Sequence, residues 1–253
     1  MQFDRKTGIV IGLVVLLASA VRAEPGAAAA DVASVPAPST APSEIPQTRS
    51  PTTSPSTRDA PGIFVDTSQV PELADYGQKV QAVAEKWYPI IVARLPGDDF
   101  TAPAHVEIIF KKDMKGVAYT TGGKVSASPK YFTAHQDDLG AFVHELVHVV
   151  QAYHHKTPGW IVEGIADYIR FFSYEPESAR PHPNPDKAKY TDSYRTSAHF
   201  LNYVAETYDK DFVVKLNAAC RAGKYTDDFW KEQTGKTLEE LGAAWKETLR
   251  KPE

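Results

Sequence analysis

The chain has 253 residues, 42% of them hydrophobic and 24% charged, the proportions of a globular protein with room for one good-sized domain or two small ones. A formal net charge of −4 argues against a nucleic-acid binder, which would carry a basic stripe. One cysteine, Cys220, rules out an intrachain disulfide, so stability must come from the core or from a metal; in the helical-looking run KLNAACRAG this cysteine reads as a small core hydrophobe.

Taken from the N-terminus, Arg5 and Lys6 precede an apolar run, Ile9 to Val21, that ends in Val21-Arg22-Ala23. A charged start, a short apolar stretch and small residues at the cleavage positions predict a signal peptide over residues 1–23. The run is shorter than the roughly 20 residues that span lipid, so no stable membrane insertion is expected after cleavage, and the location is secreted or periplasmic. Residues 24–61 form a Pro/Ala/Ser/Thr-rich linker: from 24 to 60 these four types fill 26 of 37 positions, with no aromatic residue. Such a segment buries too little apolar surface to offset its ordering entropy and is expected to be disordered. From Gly62 the composition is globular, which predicts one domain over 62–253.

Within that domain, Leu73, Tyr76, Val80, Val83, Trp87 and Ile90 recur at helical spacing over residues 72–94, with Pro89 expected to kink the helix or end its regular part. HVEIIF, residues 105–110, reads as a buried strand. Residues 117–128 alternate around Gly122-Gly123, the mark of a two-residue hairpin. Asp137-Asp138 can cap a helix running to about Tyr153, and a second helix spans Trp160 to Phe172 after the breaker Pro158-Gly159. Residues 176–189 are a Pro-rich loop, and helices follow at about 192–207, 210–221 and 238–250. A small mixed or antiparallel sheet followed by a mainly helical C-terminal part is an α+β pattern.

The chemistry lies in His144-Glu145-Leu146-Val147-His148. Residues four apart share a helix face, so the two imidazoles can reach one zinc ion, and Glu145 beside the first can act as general base on a zinc-bound water. Phe142, Val143, Leu146, Val147 and Val150 cover most of the same helix, which is therefore buried. Polar groups there need a strong partner, and a metal is one. Three residues compete to be the third ligand. His154 extends the pattern to HExxHxxQxxH, but Gln151 stands where a chain reversal would favour glycine, and a continuing helix carries His154 about 9 Å farther along its axis. Glu163, on the returning second helix, can meet the metal and leave one position for water; Asp167, one turn on, can accept the far N–H of a bound imidazole or ligate directly. The geometry favours Glu163. Tyr190, Tyr194 and His199 can border the cleft, with Tyr194 the preferred donor to a developing oxyanion. Ala118 and Tyr119, on a candidate edge strand, can pair with an extended substrate.

HELVHVVQ, then PGWIVEGIADYIR, then YTDSYRTSAHFLNYV and LEELGAAWKETL resemble the basic secretory protein family of plants and bacteria over roughly residues 62–253. The resemblance implies a zincin-type fold, with a small sheet packed on the buried HExxH helix. It implies a secreted zinc peptidase acting on peptide or protein. The spacing Glu163-x-x-x-Asp167 is similar to that of gluzincins, which implies His144, His148 and Glu163 as ligands of Zn2+, Glu145 as base and Asp167 as the support of a histidine. Two other functions fit the same residues: a non-catalytic extracytoplasmic binding protein that keeps a zincin shell, and a zinc amidase acting on cell-wall peptides. The sequence sets no oligomeric state.

Overall fold

A computed structural model describes residues 62–98 and 100–250. The predicted leader and linker lie outside the described residues. Four strands form one mixed sheet: β1 (Gly62–Asp66), β2 (His105–Phe110), β3 (Ala118–Thr121) and β4 (Lys124–Ala127), in the order β1-β2-β4-β3. The β1–β2 and β2–β4 pairs are parallel and β3–β4 is antiparallel. The predicted hairpin turns at Gly122-Gly123, where Gly122 has φ +59°, a conformation that costs an L side chain energy. β2 is not buried on both faces. Val106, Ile108 and Phe110 point into the core while His105, Glu107 and Ile109 are only partly covered, because helices pack on one face of the sheet.

On that face lie α1 (Ala74–Arg94), against β1, and α3 (Gly140–Gln151), against α1, β3 and β4. α1 continues through Pro89 to Arg94. Burial of Ile91 and Leu95 beyond the proline holds the last turn in place, overriding the local cost of the missing N–H. The short α2 (Pro129–Ala134) brings Phe132 under α3, where Tyr76, Phe110, Phe132 and Phe142 pack ring on ring; the Phe132–Phe142 centroids are 4.7 Å apart. α4 (Gly159–Ile169) runs on into a π turn, Arg170–Tyr174. It packs against α3 on one side and α5 (Tyr194–Thr207) on the other.

α6 (Phe212–Arg221), α7 (Asp228–Thr234) and α8 (Leu238–Leu249) complete the helical C-terminal part. There Trp160, Phe200, Trp230 and Trp245 form a second aromatic cluster, with Trp160 and Trp230 stacked at 5.7 Å. α8 opens with a reciprocal capping box between Thr237 and Glu240. The Cys220 thiol is buried, as expected of a core residue. β1, α2 and α7 are short elements with no sequence signal of their own. β1 in particular is a strand because it pairs with β2 some 40 residues on.

Candidate metal centre

α3 is buried at every position but one, His148, which is partly covered. Its start is held by Asp138, whose carboxylate accepts the Ala141 N–H at 3.1 Å, the Arg170 guanidinium at 2.7 Å and the Tyr131 hydroxyl at 2.9 Å. Gly140 lets this cluster close up, since a Cβ there would sit 2.1 Å from Glu175 Oε1. The helix ends two residues before the expected Tyr153, because Ala152 takes up a left-handed conformation (φ +40°) and turns the chain out. α4 returns antiparallel to α3. Polar contacts tie the two together at three levels: Asp138 to Arg170, His144 to Asp167, and Gln151 to the Val162 carbonyl.

This crossing brings His144, His148 and Glu163 to one point. His144 Nε2 and His148 Nε2 are 3.0 Å apart, and Glu163 Oε2 lies 3.2 Å from the first and 3.5 Å from the second. The three are close enough to hold a metal ion. Donors about 2.0–2.1 Å from a tetrahedral ion stand about 3.3–3.4 Å from one another, so the triangle fits with one coordination position left over. Two further observations agree. Asp167 Oδ1 lies 2.7 Å from His144 Nδ1, and a carboxylate only accepts, so Nδ1 carries a proton and Nε2 faces the other donors. Glu163 Oε1 is buried and has no hydrogen-bond partner among the described residues.

The electrostatics show how strongly the cluster attracts a positive charge. Burial alone would depress the His144 pKa, but Asp167 and Glu163 outweigh it and push it up to about 10. Burial would raise Glu163, yet the imidazoles of His144 and His148 beside it hold it at about 2. A site that holds a proton this tightly offers the same lone pairs to a divalent cation.

Glu145 is buried on the sheet side of α3, where its Oε2 accepts the Thr120 hydroxyl at 2.6 Å. Thr120 lies on β3, an edge strand, next to buried Ala118 and half-buried Tyr119. Tyr194 opens α5 with its ring 6.2 Å from that of His144, nearly parallel to it. Ser193 and Tyr194 both have positive φ (+65° and +49°), a strain of about 1–3 kcal/mol each that aims the tyrosine at the site. Burial, then Glu163, Asp167 and Glu145, raise its pKa, so the hydroxyl keeps its proton.

α5 comes this near because Gly164 has no side chain: a Cβ there would be 2.9 Å from Ser197 Cβ. The other candidates sit elsewhere. His154 and His155 are exposed beyond the end of α3, and His154 is not among the three gathered donors. Tyr190 packs on Trp160 and Phe200, and His199 accepts the Trp245 indole N–H. Sequence reasoning missed Gln151 and Thr120 as partners of the site. Gln151 carried a signal, standing three residues after His148 on the same helix face. Thr120 carried none.

A family model described as BSP, peptidase of plants and bacteria, matches residues 82–247, which hold every one of these side chains. No curated protein matches the chain.

Proposed function

The chain belongs to the basic secretory protein family, peptidases of plants and bacteria, and from that membership we propose a secreted or periplasmic zinc metallopeptidase with a zincin-like fold of the gluzincin kind. The donor triangle carries the reading: two imidazoles and one carboxylate converge within 3.5 Å of one another, with Glu145 adjacent in the chain to the first of them. His144, His148 and Glu163 would hold Zn2+, and Asp167 would keep His144 in the ligating tautomer. When bound, the ion supplies Lewis-acid polarisation of the scissile carbonyl and of the attacking water.

The chain's own residues do the rest. Glu145, its carboxylate oriented by the Thr120 hydroxyl, takes a proton from the water at Oε and returns it to the leaving amine nitrogen. The Tyr194 hydroxyl, kept protonated by its surroundings, donates a hydrogen bond to the oxyanion. The open edge of β3 at Ala118 and Tyr119 lines up an extended peptide by main-chain pairing, which tolerates many side chains. Among the described residues no helix is long and apolar enough to cross a membrane.

Elemental analysis of the purified protein, followed by a peptide-library digest with and without a chelator, tests this. The expected result is one zinc per chain and chelator-sensitive cleavage, with Glu145→Gln keeping the zinc and losing turnover. Full turnover by Glu145→Gln would remove the general-base assignment, and a chain that binds no zinc would remove the metal centre.

A further inference from the structure

One buried polar side chain at the site has a role that neither the donor triangle nor the proposed chemistry uses. Gln151 ends α3 and is 2% exposed. Its Nε2 donates to the Val162 carbonyl at 3.0 Å, and its Oε1 lies 2.8 Å from His148 Nδ1. The proton positions follow from what each atom can do. A backbone carbonyl only accepts, so the amide nitrogen must face Val162. The amide oxygen then faces His148, and it too only accepts. His148 must therefore carry its proton on Nδ1, which leaves the Nε2 lone pair pointing at His144 Nε2 and Glu163 Oε2, 3.0 and 3.5 Å away.

We propose that Gln151 is a positioning residue. The Val162 carbonyl sets the amide's orientation, and the amide sets the tautomer and ring plane of His148. The second half of this, that the tautomer is set for a metal, rests on the proposed zinc centre; the first half does not. The two histidines are thus backed differently, His144 by the Asp167 carboxylate and His148 by a neutral amide. Only one extra negative charge is buried behind the donors, which limits the desolvation cost of the pair. Val162 immediately precedes Glu163, so the same amide also locates the third donor's backbone relative to α3.

A plain helix-to-helix tie would use the same two bonds, and the two roles separate by variant. Gln151→Met removes both bonds. Gln151→Glu keeps an acceptor for His148 and loses the donor to Val162. The proton positions on His148 are read by nitrogen-15 NMR of the metal-free full chain, and affinity by competition for zinc with a chromogenic chelator. The parent is expected to show His148 with Nδ1–H. Gln151→Met is expected to lose that preference and about 10–100-fold in zinc affinity. Gln151→Glu is expected to keep both, though its metal-free melting temperature falls alongside that of Gln151→Met.

Nε2–H on His148 in the metal-free parent would overturn the proposal without any variant. So would unchanged tautomer and affinity in Gln151→Met, or a loss in Gln151→Glu equal to that in Gln151→Met. A parent that takes up no zinc would instead sink the metal centre, and the NMR result would still decide whether Gln151 sets the tautomer.

Discussion

Gly164→Ala probes whether the α4–α5 contact places Tyr194. The added Cβ would stand 2.9 Å from Ser197 Cβ and 3.3 Å from Leu201 Cδ1. Carbon atoms in contact sit about 3.5–4.0 Å apart, so α5 must move out by about 0.6–1 Å at this level. Overpacking of this kind costs about 1–3 kcal/mol. Replacing glycine by alanine inside a helix returns about 1 kcal/mol. The net expectation is a loss of about 1 kcal/mol, or about 2–4 °C in melting temperature for a domain of this size. His144, His148 and Glu163 sit on α3 and α4, so zinc affinity should hold. Tyr194 opens α5 and moves with it, and a displacement near 1 Å can cost about 100-fold in turnover. Calorimetry, chelator competition and peptide cleavage on one preparation separate the three effects. A variant about 1 kcal/mol more stable than the parent with full turnover would mean that helix propensity outweighs the contact and that α5 is not held by it.

The ligand set is checked by metal analysis of two variants: Glu163→Ala should lose zinc, while His154→Ala, changed at an exposed residue outside the donor cluster, should keep it, and the reverse pattern would overturn the assignment. Asp167→Asn should weaken zinc binding or activity by about 10–100-fold, since the 2.7 Å contact to His144 loses its charge; a neutral result would leave Asp167 with no part in the site. The pH dependence follows from two opposite shifts. His144 has its pKa raised to about 10, so its contribution to metal-free stability is complete below about 6.5 and is lost as pH climbs through 10. Glu163 is lowered to about 2, so its contribution is complete above about 4.5 and is lost as pH falls through 2. The metal-free protein should therefore draw most from this pair between about pH 4.5 and 6.5, and the gain in melting temperature on adding zinc should grow from pH 5 to 9. A gain that stays level across that range would contradict the coupling.

What could be read along the chain is what local rules govern. The i, i+4 spacing of His144 and His148 puts them on one face wherever that helix lies, and the apolar residues around them require it to be buried. Likewise the Gly122-Gly123 turn, the breaker at Pro158-Gly159 and the helical runs at α5, α6 and α8 depend on neighbours a few residues away. At Pro89 one of the two expected outcomes, an end to the helix, is excluded, since packing of Ile91 and Leu95 carried α1 past it. β2 bears out its reading as a buried strand on one face only: Val106, Ile108 and Phe110 are buried, while the placement of α1 and α3 on one side of the sheet leaves His105, Glu107 and Ile109 partly covered.

The third donor is where local rules stop. Glu163, Asp167 and His154 all lie within a few residues of reach, and the choice among them depends on how α4 crosses α3. That crossing is set by contacts between separate segments: Asp138 with Arg170, His144 with Asp167, and Gln151 with Val162. The sequence by itself determined the two imidazoles on one buried helix face, the Glu145 carboxylate between them and the need for a partner that satisfies them. Only the tertiary structure decided that Glu163 meets them, that Asp167 and Gln151 back them and that Thr120 and Tyr194 face the site, because each depends on a distance between separate elements that no spacing along one helix or strand encodes.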